Sequence, residues 1–341
     1  MSTAKRDIYW DIVKGVSIFL VVLGHSLQYL YIDTEYSHTD YLFNFIYSFH
    51  MPLFMAVSGY FAHSSLSKPI VEVLKRKFIQ IMIPAITWSL LISIMVYLNT
   101  PTKSFSFSLG YWYLNALYGC YVIFLIGNIL KQKYSWALYP YVLILIIFGQ
   151  SLNTSHLMSM LPFFGLGLLI RKHSKLLENN YKLIFFVTFP LLLLASILYP
   201  SRLYNMYSHP FIHTIEGGGI YIIRFAIGTI GTISMLSLVK IVSKFKFGIG
   251  NLIAKIGSCT LGIYLTQRLV LEIIGAKCAK LLYQHIKFDR TVIIDIVFDL
   301  LIATPISIFV IILCVYIIKL LRKNTYTKLL FLGEKQLLIP L

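Results

Sequence analysis

Residues 10–32 read WDIVKGVSIFLVVLGHSLQYLYI, an apolar run broken by few charged side chains. A helix of about 20 mainly apolar residues crosses the roughly 30 Å hydrocarbon layer of a bilayer. This run therefore predicts a transmembrane helix. The whole chain has the same character, with 58% hydrophobic and 13% charged residues, whereas soluble domains carry about 25% charged residues. A soluble fold and intrinsic disorder are both excluded.

Further runs of similar length predict an all-α polytopic membrane protein with about ten transmembrane helices. The ten segments are 10–32, 41–63, 78–98, 107–130, 134–151, 155–170, 182–199, 217–239, 257–276 and 292–318. Segment 155–170 contains Pro162 and is also compatible with a re-entrant or kinked segment. We expect residues 1–320 to form one membrane domain and residues 321–341 a short cytoplasmic tail.

The formal net charge of +17 predicts the orientation of these helices. The N-terminus, the even-numbered loops and the C-terminal tail carry 21 Lys and Arg residues, against six in the odd-numbered loops. Cytoplasmic loops are enriched in cations, so both termini are predicted to be cytoplasmic, and no nucleic-acid partner is needed to explain the charge. The cationic loop 277–290 departs from the rule. It is a tolerated late loop, an outer-leaflet contact or a cationic lip for an anionic substrate.

Ionisable residues inside predicted helices are candidate site residues, because they are costly to bury in a bilayer. In the first helix Lys14 and His25 are eleven residues apart, which places them on one face and about 16 Å apart along the axis. With Asp11 they suggest a channel lined by a cation and by a histidine able to act as a general base. Snorkelling of Lys14 and an ordinary interhelical hydrogen bond of His25 are the alternatives.

Other helices carry further polar candidates. His50 and Pro52 precede Ser58 in the second helix, where Pro52 shapes either a pocket or an ordinary kink. Arg224 has no local counter-ion, so we expect it to pair with another helix or with a ligand phosphate. Three acidic residues, Glu272, Asp295 and Asp299, also lie in predicted helices. Glu272 is one turn from Arg268. The cysteines at 120, 259, 278 and 314 form no close pair and predict neither disulfides nor a metal site.

Two stretches resemble the acyltransferase family 3 integral-membrane proteins, in the fucose 4-O-acetylase-like branch. They are residues 6–25, RDIYWDIVKGVSIFLVVLGH, and residues 49–59, FHMPLFMAVSG, and weaker similarities lie at 112–114, 163–167 and 257–265. The family pairs an Arg with an essential His across ten intervening residues. Lys14 occupies the Arg position here and His25 the His position. Gln267 stands where many members have His, so a proton-transfer role there is lost.

The resemblance implies a multi-pass protein of the bacterial cytoplasmic (inner) membrane that transfers an acetyl group from cytoplasmic acetyl-CoA. The acceptor is a hydroxyl of a surface polysaccharide, such as an O-antigen, or of its lipid-linked precursor. His25 is then catalytic, and Lys14 and Arg224 bind the donor. The remaining side chains expected to contact substrate or shape the site are Asp11, His50, Ser58, Trp112, Tyr264 and Gln267. The alternative is a transporter or flippase of lipid-linked glycans without acyl-transfer activity.

Overall fold

All regular secondary structure in the described part of the computed structural model is helical. That part comprises residues 7–30, 40–99, 107, 109–134, 136, 138–149, 155–198, 215–244, 248–271, 296–297 and 299–334. In chain order its helices are α1 (Ile8–Leu30), α2 (Tyr41–Leu66), α3 (Ile70–Lys77), α4 (Ile83–Asn99), α5 (Trp112–Lys133), α6 (Leu138–Gly149), α7 (Ser155–Lys172), α8 (Ser174–Leu198), α9 (Ile215–Val242), α10 (Ile249–Gly257), α11 (Thr260–Val270), α12 (Thr304–Leu321) and α13 (Thr325–Leu332). Short π-helical segments, Phe78–Met82 and Asp299–Ala303, lead into α4 and α12. The predicted all-helical class is confirmed.

Within this part of the chain, seven helical stretches are long and apolar enough to cross a membrane. They are Ile8–Tyr29, Tyr41–Leu66, Ile70–Leu98, Trp112–Gln132, Ser174–Leu198, Gly217–Val242 and Asp299–Leu321. The pair α10–α11, bent by 81°, makes eight if it counts as one span. The expected total of about ten is not confirmed. Predicted segment 134–151 yields α6, whose 12 residues reach only about 18 Å. Segment 155–170 yields α7, which is not among the seven.

Helix α8 shows how the apolar surface of the molecule is arranged. Its exposed side chains include Leu183, Phe186, Val187, Leu194 and Ile197. In a soluble protein such a surface would drive aggregation, whereas lipid tails solvate it without cost. The chain is therefore a multi-pass membrane protein. Which side each terminus occupies stays a prediction.

Close helix contacts in the bundle depend on glycine. A Cβ atom added at Gly59 of α2 would collide with the backbone of Phe164 in α7, and one at Gly167 would collide with the backbone of Ala56 in α2. Small residues let membrane helices approach closely, which gains packing where no hydrophobic driving force exists. This contact fixes α2, which carries His50 and Ser58, against α7.

Helix α1 crosses the bent pair α10–α11 by the same device. A Cβ atom at Gly15 would collide with the carbonyl of Ile253, and one at Gly257 with the carbonyl of Asp11. The chain then turns by 81° into α11. The bend brings α11 alongside α1, so that Tyr264 and Gln267 lie near the α1 residues singled out from the sequence.

The described part of the predicted tail is folded onto the bundle. The side chain of Asn324 caps α13 by accepting a hydrogen bond from the Tyr326 N–H at 2.8 Å. Gly333 ends the helix with a φ of 64°, a left-handed conformation that favours glycine. Trp88 Nε1 of α4 donates to the carbonyl of Phe331 at 2.9 Å. We call residues 322–334 the C-terminal arm. The division at residue 320 itself stays a prediction.

Candidate active site

A cavity of about 760 Å³ opens between α1, α2, α3, α5, α11, α12 and the C-terminal arm. Among the described residues, five cationic side chains line it: Lys14, Arg76, Lys77, Arg322 and Lys328. Glu334 is the one carboxylate among its described lining residues. A cavity of this size suits a ligand of several hundred daltons, and its lining charge favours an anionic one.

Lys14 reaches this cavity from α1. Its Nζ atom lies 3.3 Å from Oδ1 of Asp11, one turn earlier, and 4.1 Å from the centroid of the Phe61 ring. Asp11 is 6% exposed, so this carboxylate needs a cationic partner. Asp11 thus positions Lys14, and the aromatic face adds a cation–π contact.

Arg76 and Lys77 come from the last turn of α3. Arg76 Nη2 donates to Ser65 Oγ at 3.2 Å. Lys77 Nζ lies 4.7 Å from the centroid of the Tyr121 ring. Neither contact neutralises the charge, so both side chains contribute positive potential to the cavity.

The C-terminal arm contributes the remaining charges. Arg322 binds Glu334 through Nη2 to Oε1 at 2.6 Å and through Nε to Oε2 at 3.1 Å. Lys328 Nζ lies 4.0 Å from the same carboxylate. Hydrogen bonding to Glu334 raises the pKa of the Arg322 guanidinium, which keeps it charged. Arg322 Nη1 also lies 3.6 Å from Cys259 Sγ, at the bend between α10 and α11.

Hydroxyl groups collect in another part of the cavity wall. Ser58 Oγ and Tyr113 Oη lie 3.0 Å apart, and Tyr113 donates to the carbonyl of Phe54 at 3.1 Å. The rings of Tyr113 and Tyr264 are 5.6 Å apart. The carbonyl of Phe54 in α2 is thereby tied to α5. We call Ser58, Tyr113 and Tyr264 the hydroxyl wall.

His25 lies in a polar cluster beside the hydroxyl wall. Its half-buried imidazole lies close to the side chains of Gln267 and Arg268. His50 also lies close to His25. His50 Nδ1 lies 2.8 Å from the carbonyl of Ile46; because a carbonyl only accepts, Nδ1 is the donor. The sequence candidates His25, His50 and Gln267 are therefore brought together.

One turn of α11 connects this cluster to the cavity. Tyr264 lines the cavity and Gln267 contacts His25; three residues of helix separate them by about 4.5 Å along the axis. His25 itself is not a lining residue of the cavity. On α1, the lining residue Ser17 precedes it by about 12 Å along the axis. The cluster and the cavity thus lie next to each other.

Two of the site residues expected from the sequence lie elsewhere. Arg224 lines a separate cavity of about 50 Å³ together with Tyr47 and Tyr221, so the structure does not bring it to the cationic cavity. The Trp112 ring packs against His156 with centroids 4.9 Å apart. Three further parts of the sequence prediction lie outside the described residues: Glu272, which is one turn from Arg268, Asp295, and loop 277–290. Arg268 Nη1 donates instead to the carbonyl of Gly110 at 3.2 Å.

Comparison with known proteins identifies the family to which this chain belongs. The family model described as an acyltransferase domain matches residues 7–320. The chain belongs to acyltransferase family 3. Membership of this family supports acyl transfer over the purely non-enzymatic transporter.

Two curated relatives of this acyltransferase were found. One is the nodulation protein NolL of Mesorhizobium japonicum, 29% identical over 180 residues, covering 49% of this chain and 48% of the relative. The other is NolL of Sinorhizobium fredii, 33% identical over 181 residues, covering 48% of this chain and 49% of the relative. The chain therefore spans about half the length of the curated relatives it matches. No solved structure matches it.

Sequence reasoning missed four cations of this acyltransferase's cavity: Arg76, Lys77, Arg322 and Lys328. It counted them as loop charges that orient the helices, and nothing in their spacing indicated convergence. Tyr113 lies in the family-like stretch 112–114, but it was not among the site residues expected from the sequence. Within the described part of the chain, no three metal-ligating side chains come together.

Proposed function

We propose that this acyltransferase moves an acetyl group from acetyl-CoA to a hydroxyl of a cell-surface glycan or its lipid-linked precursor, in the bacterial cytoplasmic membrane. One observation carries the proposal: the cationic cavity and the His25–Gln267 cluster are separated by one turn of α11. A donor with anionic phosphates and a thioester at its far end fits a site with separate cationic and acid–base parts.

The donor side depends on charge. Coenzyme A carries a diphosphate and a 3′-phosphate, and charge-assisted hydrogen bonds to Lys and Arg are the strongest that proteins form with phosphate. Lys14, Arg76 and Lys77 lie in helical stretches long and apolar enough to span a membrane, where uncompensated positive charge is costly; the ion pair with Asp11 compensates Lys14 alone. A bound polyanion offsets that cost. We therefore place the diphosphate beside these three side chains.

The acceptor side depends on His25. Neutral imidazole accepts the proton of the sugar hydroxyl while the oxygen of that hydroxyl bonds to the thioester carbonyl carbon. The carbon–sulfur bond then breaks, and the leaving thiolate takes the proton back from the imidazolium. Contact with Gln267 fixes the orientation of the ring. Transfer through an acetyl-His25 intermediate is the second route, and labelled acetyl-CoA without acceptor distinguishes the two by trapping or failing to trap that adduct.

The test compares wild type with His25→Ala at matched expression, reading the O-acetyl content of surface glycans and label transfer from acetyl-CoA in proteoliposomes. His63→Ala is the matched control, because His63 is exposed at the end of α2. We expect His25→Ala to lose at least about 100-fold in rate, the contribution of a general base, and His63→Ala to lose nothing. Unchanged acetylation in His25→Ala would refute the assignment of the base. Glycan translocation that needs no acyl-CoA would refute the acceptor chemistry.

A further inference from the structure

The cations of the cavity belong to two structural groups. Lys14, Arg76 and Lys77 lie in helices of the bundle, within membrane-spanning stretches. Arg322 and Lys328 belong to the C-terminal arm, which follows the last of these stretches at Leu321. Coenzyme A likewise carries its charge in two places. The diphosphate adjoins the pantetheine chain that leads to the thioester, whereas the 3′-phosphate lies on the ribose, away from the reacting end.

We propose that the C-terminal arm recognises the 3′-phosphate of coenzyme A through Arg322 and Lys328, and that Glu334 occupies their anion site when no donor is bound. This inference rests on the proposed function, because it assumes an acyl-CoA donor. It adds the specificity element, which makes the arm part of the donor site rather than a tail.

The geometry around Glu334 is that of an oxyanion site. The Arg322 fork contacts both carboxylate oxygens, at 2.6 Å and 3.1 Å for its shortest bonds to each. A phosphate offers the same pair of oxygens, and Arg forks bind phosphate and carboxylate in the same planar manner. Lys328 Nζ, 4.0 Å from Glu334, supplies the second positive charge. The site therefore accepts a phosphate without rearrangement of either cation.

The cations are held in place without Glu334. Helix α13, which carries Lys328, is anchored by the bond from Trp88 to the Phe331 carbonyl at 2.9 Å and by Leu332, which is 3% exposed. Arg322 Nη1 contacts Cys259 Sγ on the other side. Glu334 comes after the left-handed turn at Gly333. Its carboxylate therefore leaves the site without dislodging the helix.

The charges of the phosphate and of the Glu334 carboxylate determine which of them binds the two cations more tightly. A phosphate monoester carries about −1.5 to −2 charges at neutral pH, whereas Glu334 contributes one negative charge. The phosphate is thus the stronger ligand for two cations, and Glu334 lowers donor affinity by competition. Replacing Glu334 with Gln removes the competitor and leaves the cations.

The experiment measures binding of coenzyme A and of 3′-dephospho-coenzyme A by isothermal titration, using the full chain in detergent micelles. The variants are Arg322→Gln, Lys328→Gln and Glu334→Gln. Lys323→Gln is the matched control, because this exposed neighbour of Arg322 does not line the cavity. A thermal unfolding scan of each variant verifies that it is folded.

We expect wild type to prefer coenzyme A over the dephospho form by about tenfold or more, the strength of a charge-assisted contact. Arg322→Gln and Lys328→Gln should reduce that preference and leave dephospho-coenzyme A binding unchanged. Glu334→Gln should increase coenzyme A affinity alone. A preference retained in both cation variants overturns the inference and leaves the proposed function intact. Failure of wild type to bind either ligand overturns the acyl-CoA donor, and the inference with it.

Discussion

Gln267 lies beside the His25 imidazole, and its Oε1 atom has no hydrogen-bond partner among the described residues. Gln267 is 1% exposed. A buried amide oxygen without a partner is costly, so its position is explained if it accepts a hydrogen bond from a bound substrate. In the proposed mechanism the amide thus serves both the base and a second donor group of the bound substrate, because the proton of the reacting hydroxyl goes to His25.

Replacing Gln267 with Leu tests this double role. The apolar side chain fills similar space but gives His25 no polar contact. We expect kcat to fall by about 10- to 100-fold, the usual loss when a residue that orients a catalytic histidine is removed. Coenzyme A affinity should stay unchanged, because Gln267 does not line the cationic cavity. A Leu variant with full kcat would show that Gln267 has no part in orienting the base.

The two histidines of the cluster should behave differently. His50 donates from Nδ1 to the Ile46 carbonyl, so one of its two ring nitrogens is already bonded within α2. We therefore expect His50→Asn to reduce kcat by no more than about tenfold, well below the loss of a general base. Measuring both variants on the same acceptor decides the assignment. A larger loss for His50→Asn than for His25→Ala would exchange their roles.

Lys14 stands where the resemblance to the family implies an Arg. Lys14→Arg keeps the charge beside Asp11 and the cation–π contact with Phe61, so KM for acetyl-CoA should stay within about threefold of wild type. Lys14→Gln removes the charge and should raise KM about tenfold. Lys68→Gln, an exposed loop lysine, is the control. Equal KM values for Lys14→Gln and Lys68→Gln would remove Lys14 from the donor site.

Helix packing gives a stability prediction. Gly167→Ala places a methyl group against the backbone of Ala56 and Tyr60, and overpacking of this kind costs about 1–3 kcal/mol. We expect a lower thermal unfolding temperature in detergent. Gly219→Ala is the comparison, because no atom lies within 4 Å of the added Cβ. It should be neutral or stabilising, since Ala favours helix over Gly by up to about 1 kcal/mol. Equal destabilisation of both variants would contradict close packing of α2 and α7.

Particular residues show how much of the structure could be predicted from the sequence. Residues 10–32 predicted a membrane helix, and α1 forms there, because the bilayer forces backbone polar groups to bond within the segment. The shared face of Lys14 and His25 followed from the helical period alone. The described residues do not confirm the count of about ten spans. Segment 134–151 has the composition of a span, yet its helix α6 is 12 residues long.

The sequence by itself determined the helices, the membrane class and the residues of the α1 face, since hydropathy and helical periodicity act over neighbouring residues. The tertiary structure decided which distant side chains meet. The pairing of His25 with Gln267, and the convergence of Arg76, Arg322 and Lys328 on one cavity, join segments far apart in the chain. These contacts depend on the close approach at Gly15 and Gly257 and on the 81° bend between α10 and α11. Packing between helices is a property of shape, which local sequence patterns do not carry.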